Sequence, residues 1–300
     1  MKQLIVITGA TACGKTSVSV EIAKKLGTEV ISCDSRQFYK EMSIGTAKPT
    51  KEEMDGVKHH FVDSHSIQEE VNAGKFENLV LPLLSELFEK YDSVILTGGS
   101  GLFIDAVVNG FDQMPSVDPE TRKELNTTFE QQGIAPLFEQ LQKLDPEYAQ
   151  IVDAQNPKRI IRALEVCLST HKTYTELRTG KKALRPFRTI KFVLDHPRQK
   201  LYARINTRVD LMLDMGLEEE CRNLIPFKHL NALQTVGYKE FFDYFEHKTD
   251  RDTTIELIKR NSRRYAKRQL TWFRRDPAYH WIEAHDVSGI MELIESDQKS

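Results

Sequence analysis

The chain has 300 residues, 42 basic against 44 acidic, so a net charge of −2 says nothing of partners and local charge patterning must carry that argument. Hydrophobic content of 40% and a length suited to one large or two moderate domains give ample core. Cys13, Cys33, Cys167 and Cys221 are spread with no C-x-x-C pair, so neither a disulfide framework nor a zinc site is suggested. No apolar run approaches the ~18 residues that cross a bilayer, and a strand begins too early to leave room for a signal peptide, so a cytoplasmic location without membrane contact is expected.

Leu4 to Ile7 is an apolar run that reads as a buried strand, and helical periodicity runs from Ser17 to Leu26. Between them, Gly9-Ala10-Thr11-Ala12-Cys13-Gly14-Lys15-Thr16 has the G-x-x-x-x-G-K-T spacing of a phosphate-binding loop. Its glycines let backbone N–H groups turn inward around phosphate oxygens, and the following helix adds its positive end. Lys15 supplies a point charge to the terminal phosphate, and the Thr16 hydroxyl suits a Mg²⁺ ligand. A phosphate-bearing ligand is expected.

Glu29 to Cys33 reads as a second strand ending at Asp34-Ser35-Arg36-Gln37. Ligands of α/β sheets lie beyond the carboxyl ends of strands, so Asp34 is expected beside the P-loop, as general base, Mg²⁺ partner or simply the N-cap of a short helix. Gly45 to Pro49 is a turn, and His59-His60 a structural pair at a strand edge. Residues 75–90 are helical, with Phe76, Leu79, Val80, Leu83, Leu84, Leu87 and Phe88 as the core face. Asp92 to Thr97 is another buried strand, closed by Gly98-Gly99-Ser100-Gly101, where Ser100 offers either a hydroxyl to a ligand or an N-cap. This strand lacks the terminal aspartate with which many nucleotide hydrolases hold Mg²⁺, which favours a transferase over an NTPase.

From 113 to 185 no strand signal appears, and Pro115, Pro119, Pro136, Pro146 and Pro157 punctuate helical stretches. This stretch is read as an all-helical insertion into a P-loop core of residues 1–112 and 186–300, whose sheet resumes at Thr189 to Leu194. Within it Arg159 and Arg162 stand one turn apart, able to face a polyanion or solvent. A helix over 198–215 ends at Gly216 and stacks Arg204 with Arg208. From Lys259 to Arg275 eight bases occur with no acid: Lys259, Arg260, Arg263, Arg264, Lys267, Arg268, Arg274 and Arg275. Like charges at helical spacing repel, so the run points to a polyanion, nucleic acid ahead of a second phosphate ligand or plain surface. Tyr265, Trp272 and Phe273, interleaved with it, read mostly as core. Tyr279 to Glu295 gives a short strand and a helix. The fold class is α/β, a parallel sheet flanked by helices.

The P-loop, Asp34-Ser-Arg-Gln-Phe-Tyr39, Ile44-Gly-Thr-Ala-Lys-Pro49, Gly98-Gly-Ser-Gly-Leu-Phe103, Arg162-Ala-Leu-Glu-Val166, Val236-Gly-Tyr-Lys-Glu240 and Ala266-Lys-Arg-Gln-Leu-Thr-Trp-Phe-Arg274 occur in this order. Together they resemble the bacterial tRNA dimethylallyltransferase (tRNA isopentenyltransferase) family along nearly the whole chain. The resemblance implies a P-loop NTPase-like core with a helical insertion that clasps the anticodon stem-loop. It also implies transfer of a dimethylallyl group from dimethylallyl diphosphate to the exocyclic amine of the adenosine 3′ of the anticodon, with diphosphate released and Mg²⁺ required. Asp34 is implied as general base, and Lys15, Thr16 and Arg208 as stabilisers of the departing diphosphate. Contacts to tRNA are implied at Asp34, Ser35, Arg36, Gln37, Ser100, Lys158, Arg159, Ile160, Ile161 and Arg162. Arg122 joins that set, and the basic run adds Arg263, Arg264, Lys267 and Arg268. Ala10 and Cys13 depart from the family's usual proline and serine, Ser100 from its threonine, and Lys58 from a proline. The rival readings are an ATP-binding P-loop kinase of a small hydroxyl substrate and a nucleotide-gated RNA-binding protein. A monomer is expected.

Overall fold

A computed structural model describes residues 2–112 and 114–299, the side chain of residue 299 excepted. Gln113, where the expected insertion starts, lies outside the described residues. The chain divides into two compact units, one of residues 1–109 with 184–300 and one of residues 110–183.

The first unit is built on six strands, β1 (Gln3–Gly9), β2 (Val30–Ser32), β3 (His59–His60), β4 (Ser93–Gly98), β5 (Arg188–Asp195) and β6 (Tyr279–Glu283). Their order is β3-β2-β4-β1-β5-β6, with every pairing parallel. Strands covered on both faces read as unbroken apolar runs, and Leu4 to Ile7 are fully buried. Successive β1 residues feed opposite layers: Leu4 and Val6 pack with Phe38, Phe76 and Ile104, Ile5 and Ile7 with Ile22, Ile205 and Ile290.

The helices of this unit are α1 (Lys15–Leu26), α2 (Lys51–Met54), α3 (Ala73–Lys90) and α4 (Gly101–Asn109), then, after the second unit, α10 (Arg198–Asp214), α11 (Leu217–Asn223), α12 (Tyr238–Phe245), α13 (Arg251–Phe273) and α14 (Val287–Lys299). In α3 the buried stripe is Ala73, Phe76, Val80, Leu84, Leu87 and Phe88. Leu79, expected on that face, is 37% exposed, because the stripe steps by three and four from Ala73 and passes it by. At the end of β4, where the Mg²⁺ aspartate of hydrolases would stand, Thr97 is a structural tie. Its hydroxyl accepts from Ser19 of α1 (2.8 Å) and donates to the Ile7 carbonyl (3.1 Å).

The second unit holds α5 (Pro119–Gln132), α6 (Ala135–Leu144), α7 (Pro146–Ile151), α8 (Pro157–Thr170) and α9 (Tyr174–Leu177) around Leu125, Leu137, Leu141, Ile160 and Leu164. Pro119, Pro146 and Pro157 sit in first helical turns, where the missing N–H costs nothing, behind the capping side chains of Asp118, Asp145 and Asn156.

Candidate active site

The P-loop begins where β1 meets its own sheet. A Cβ on Gly9 would fall 2.7 Å from both the Leu194 carbonyl and Cys13 Sγ, so no other residue fits there. Gly14 then starts α1 in a left-handed conformation with no side chain capping the helix, which leaves the first-turn N–H groups to an anion. Lys15 folds back, its Nζ donating to the carbonyls of Gly9 (3.1 Å) and Ala10 (2.8 Å). The loop is fastened from α13. Buried Gln269 accepts from the Thr11 N–H and donates to the Gly99 carbonyl, each at 2.9 Å. The second glycine stretch is packing space for the same helix, since a Cβ on Gly99 would meet Gln269 at 2.2 Å and one on Gly101 would meet Trp272 at 2.3 Å.

Asp34 follows β2, and its Oδ1 accepts the Arg36 N–H at 3.0 Å. Turns follow it rather than a helix, so the N-cap alternative gives way to an Asx turn that fixes the carboxylate. The Ser100 hydroxyl accepts the Ser35 N–H (3.1 Å) and donates to the Ser35 hydroxyl (3.1 Å), so it braces the Asp34 turn rather than capping α4. Arg208 reaches in from α10, donating to Thr11 Oγ1 (3.4 Å) and the Ala47 carbonyl (3.3 Å). Burial pushes this guanidinium's pKa down, and the Asp34 and Glu53 carboxylates oppose that. Ala47 is itself held in place, because Glu220 of α11 accepts the N–H groups of Ser43 (3.0 Å), Ile44 (2.8 Å) and Gly45 (3.0 Å) and the Tyr238 hydroxyl (2.6 Å).

Lys15, Thr16, Asp34, Glu53, Arg204 and Arg208 line one cavity of about 680 Å³. A recess of about 100 Å³ adjoins it, with an apolar wall of Ile205, Val209, Met212, Val236 and Ile258 and a polar side that includes Asp34, Arg36 and Arg208. A further cleft is lined by Ser35, Arg36, Lys239, Arg260, Arg264 and Arg268. The structure thus brings the P-loop, Asp34 and Arg208 to one site.

The basic run does not form one surface. Arg264 and Arg268 face the cleft beside Ser35, but Arg263 is pinned to Asn206 (2.6 Å), and Lys267 lines a separate cleft with Arg198, Arg274 and Trp281. Lys259 pairs with Asp210 at 2.7 Å. Residues three or four apart share a helix face and residues one apart do not, which is why neighbours in the run part company. In the second unit, Ile160 and Ile161 are buried in its core, so their side chains hold α8 instead of reaching a ligand. Lys158 and Arg159 are exposed. Arg122 and Arg162 converge on buried Glu165, at 2.5 and 3.3 Å. Of the aromatics expected in the core, Phe273 is fully buried and Trp272 donates to Asp105 (3.0 Å). Tyr265 differs: it is 36% exposed and lines the phosphate cavity, the recess and the cleft. Sequence reading also missed Gln269 and Glu220, whose partners lie far away along the chain.

The model of a family described as IPP transferase matches residues 37–276. The chain is 50% identical over 295 residues to the tRNA dimethylallyltransferase of Cytophaga hutchinsonii, covering 98% of this chain and 97% of the relative. It is 47% identical over 307 residues to that of Flavobacterium johnsoniae, covering 100% and 99%. Among solved structures it is similar to the full-length tRNA isopentenylpyrophosphate transferase of Bacillus halodurans, with a TM-score of 0.74, 38% identity and coverage of 99% and 96%. A eukaryotic dimethylallyltransferase captured acting on tRNA gives a TM-score of 0.82 at 27% identity, over 96% of this chain and 75% of that one.

Proposed function

The chain belongs to the IPP transferase family, and from that premise we propose that dimethylallyl diphosphate fills its P-loop cavity and tRNA enters beside Asp34. It is a tRNA-modifying prenyltransferase, and the kinase and binding-protein readings fall with these matches. The observation that carries the assignment of roles is the shared cavity, which Asp34 and Glu53 line together with the start of α1, Lys15 and Arg208.

The diphosphate lies on the P-loop and the start of α1, with Lys15 and Arg208 against its oxygens. The five-carbon group extends into the apolar recess. The exocyclic N6 amine of the adenosine 3′ of the anticodon attacks the first carbon of the allyl group as the carbon–oxygen bond to diphosphate breaks. The diphosphate leaves with the electron pair, and Asp34 takes the amine proton. Lys15 and Arg208 act most strongly as that negative charge grows. The cavity also fits Mg²⁺. Thr16, Asp34 and Glu53 offer hard oxygens, and Mg²⁺ commonly takes one or two protein ligands and completes its shell with phosphate oxygens and water. Among the described residues no group of three or more His, Cys, Asp or Glu could hold a metal alone, which suits an ion brought in with the diphosphate. When bound, it would neutralise charge on the leaving group, with Thr16 as its protein ligand.

Arg264, Arg268, Ser35 and Arg36 in the first unit and Lys158 and Arg159 in the second are the proposed tRNA contacts. We take the chain to act in the cytoplasm as a monomer. All four cysteines are free, and among the described residues no helix is long and apolar enough to cross a membrane. Incubation with unmodified tRNA and either dimethylallyl diphosphate or ATP tests the assignment. Prenylated adenosine from the first mixture is expected, and its absence would overturn the reading.

A further inference from the structure

Among the described residues, Tyr265 is the one side chain that lines the phosphate cavity, the apolar recess and the basic cleft together. Tyr265 as a residue is 36% exposed in the middle of a helix although its hydroxyl end is buried, so part of its apolar surface gains nothing from the fold. Its hydroxyl end lies near Ser100, the residue that braces the Asp34 turn, and the Arg268 guanidinium lies 5.7 Å from the ring centre. Burial and the nearby Asp34 charge push the phenol pKa up to about 12, so it stays a neutral hydrogen-bonding group at physiological pH. The ring therefore stands fixed between the cleft that suits RNA phosphates and the carboxylate that would receive the proton.

We propose that the Tyr265 ring is the seat of the target adenine, stacked against it so that the exocyclic amine faces Asp34. This rests on the prenyl-transfer reading above. A base drawn out of its own stack loses its neighbours, and an aromatic platform replaces them without regard to sequence. Arg268 polarises the ring from its side while the purine covers exposed ring surface.

The test uses the full chain. With unmodified tRNA, Tyr265→Leu should lower kcat/KM by about 10- to 100-fold, the usual worth of one base–aromatic stack, while Tyr265→Phe stays near wild type. Because Tyr265 also lines the diphosphate cavity and the recess, the KM for dimethylallyl diphosphate should shift too, but by less than kcat/KM for tRNA falls, and an equal loss for both substrates would point to a merely structural role. In parallel, an anticodon stem-loop carrying 2-aminopurine at the target position, which lacks the reacting amine, is bound to each protein with inorganic diphosphate. Its fluorescence should stay quenched on wild type and Tyr265→Phe and brighten on Tyr265→Leu. A Tyr265→Leu enzyme with unchanged kcat/KM for tRNA overturns the seat, as does a wild-type complex as bright as the free nucleoside. Should Tyr265→Leu fail to fold, the wild-type fluorescence decides alone. If wild-type protein prenylates tRNA while the variants behave like it, only the seat falls; if wild type prenylates nothing, the functional reading itself falls.

Discussion

Asp34 is oriented by its own turn and by Ser100, so replacing its charge should change chemistry with little effect on shape. Asp34→Asn keeps the acceptor for the Arg36 N–H and loses the base. Prenyl transfer should fall by about 10²- to 10⁴-fold with tRNA affinity nearly unchanged, and a variant with wild-type turnover would leave Asp34 as a turn-former only. Lys15→Ala and Arg208→Ala remove charge that acts on the leaving diphosphate, so single-turnover rates at saturating substrates should drop by about 10²-fold each. Arg208 also donates to Thr11 and Ala47, so its variant should loosen the P-loop as well. If neither variant slows the single turnover, their part in stabilising the departing group is refuted.

Two elements show where sequence stops being enough. The parallel strands are legible because burial on both faces writes an unbroken apolar run, and the P-loop because glycine, lysine and threonine must fall at fixed spacing. The face of α13 is not legible. Eight bases in seventeen residues announce a charge but not its direction, and only packing shows Arg264 and Arg268 beside Ser35 while Arg263 and Lys267 turn elsewhere. Replacing Arg264 and Arg268 together with alanine should weaken tRNA binding. It should also flatten the slope of log affinity against log salt by about one unit for each RNA phosphate left without its cation. The same change at Arg274 and Lys267 should do less. Equal effects from both pairs would mean that the cleft beside Ser35 has no special claim on RNA. The loop Ser43 to Ala47 reads in sequence only as a turn, because its clasp, Glu220, lies more than 170 residues away along the chain. Glu220→Ala strands three N–H groups and the Tyr238 hydroxyl, and hydrogen bonds to a charge contribute about 1.5–3 kcal/mol each at best. A clear drop in melting temperature and a lower kcat through Arg208 are expected. Unchanged stability would show that water replaces the carboxylate without loss.

The division into two units has a consequence for the order in which the molecule can be taken apart. Every strand of the sheet and every residue of the phosphate cavity belong to the first unit. Its chain leaves at Asn109 and returns at Leu184, and the two crossing points are fastened within that unit. Arg185 donates to the Ala106 carbonyl (2.8 Å) and to Glu77 (2.6 Å), a half-buried ion pair next to both ends. Segments whose ends are held together from outside are the ones whose removal a fold tolerates best, because the closure left behind is short. Residues 110–183 also carry a core of their own, with Leu137, Leu141 and Leu164 at 1% exposure or less. Replacing 110–183 by a short glycine-rich linker should therefore leave a folded protein that still binds inorganic diphosphate. If the second unit carries RNA contacts through Lys158 and Arg159, the same deletion should lower tRNA affinity by about 10-fold or more and reduce its salt dependence. Circular dichroism and titrations with diphosphate and tRNA separate the outcomes. A deletion that unfolds the remainder would show that the sheet needs the insertion. One that folds and keeps full tRNA affinity would confine RNA recognition to the first unit.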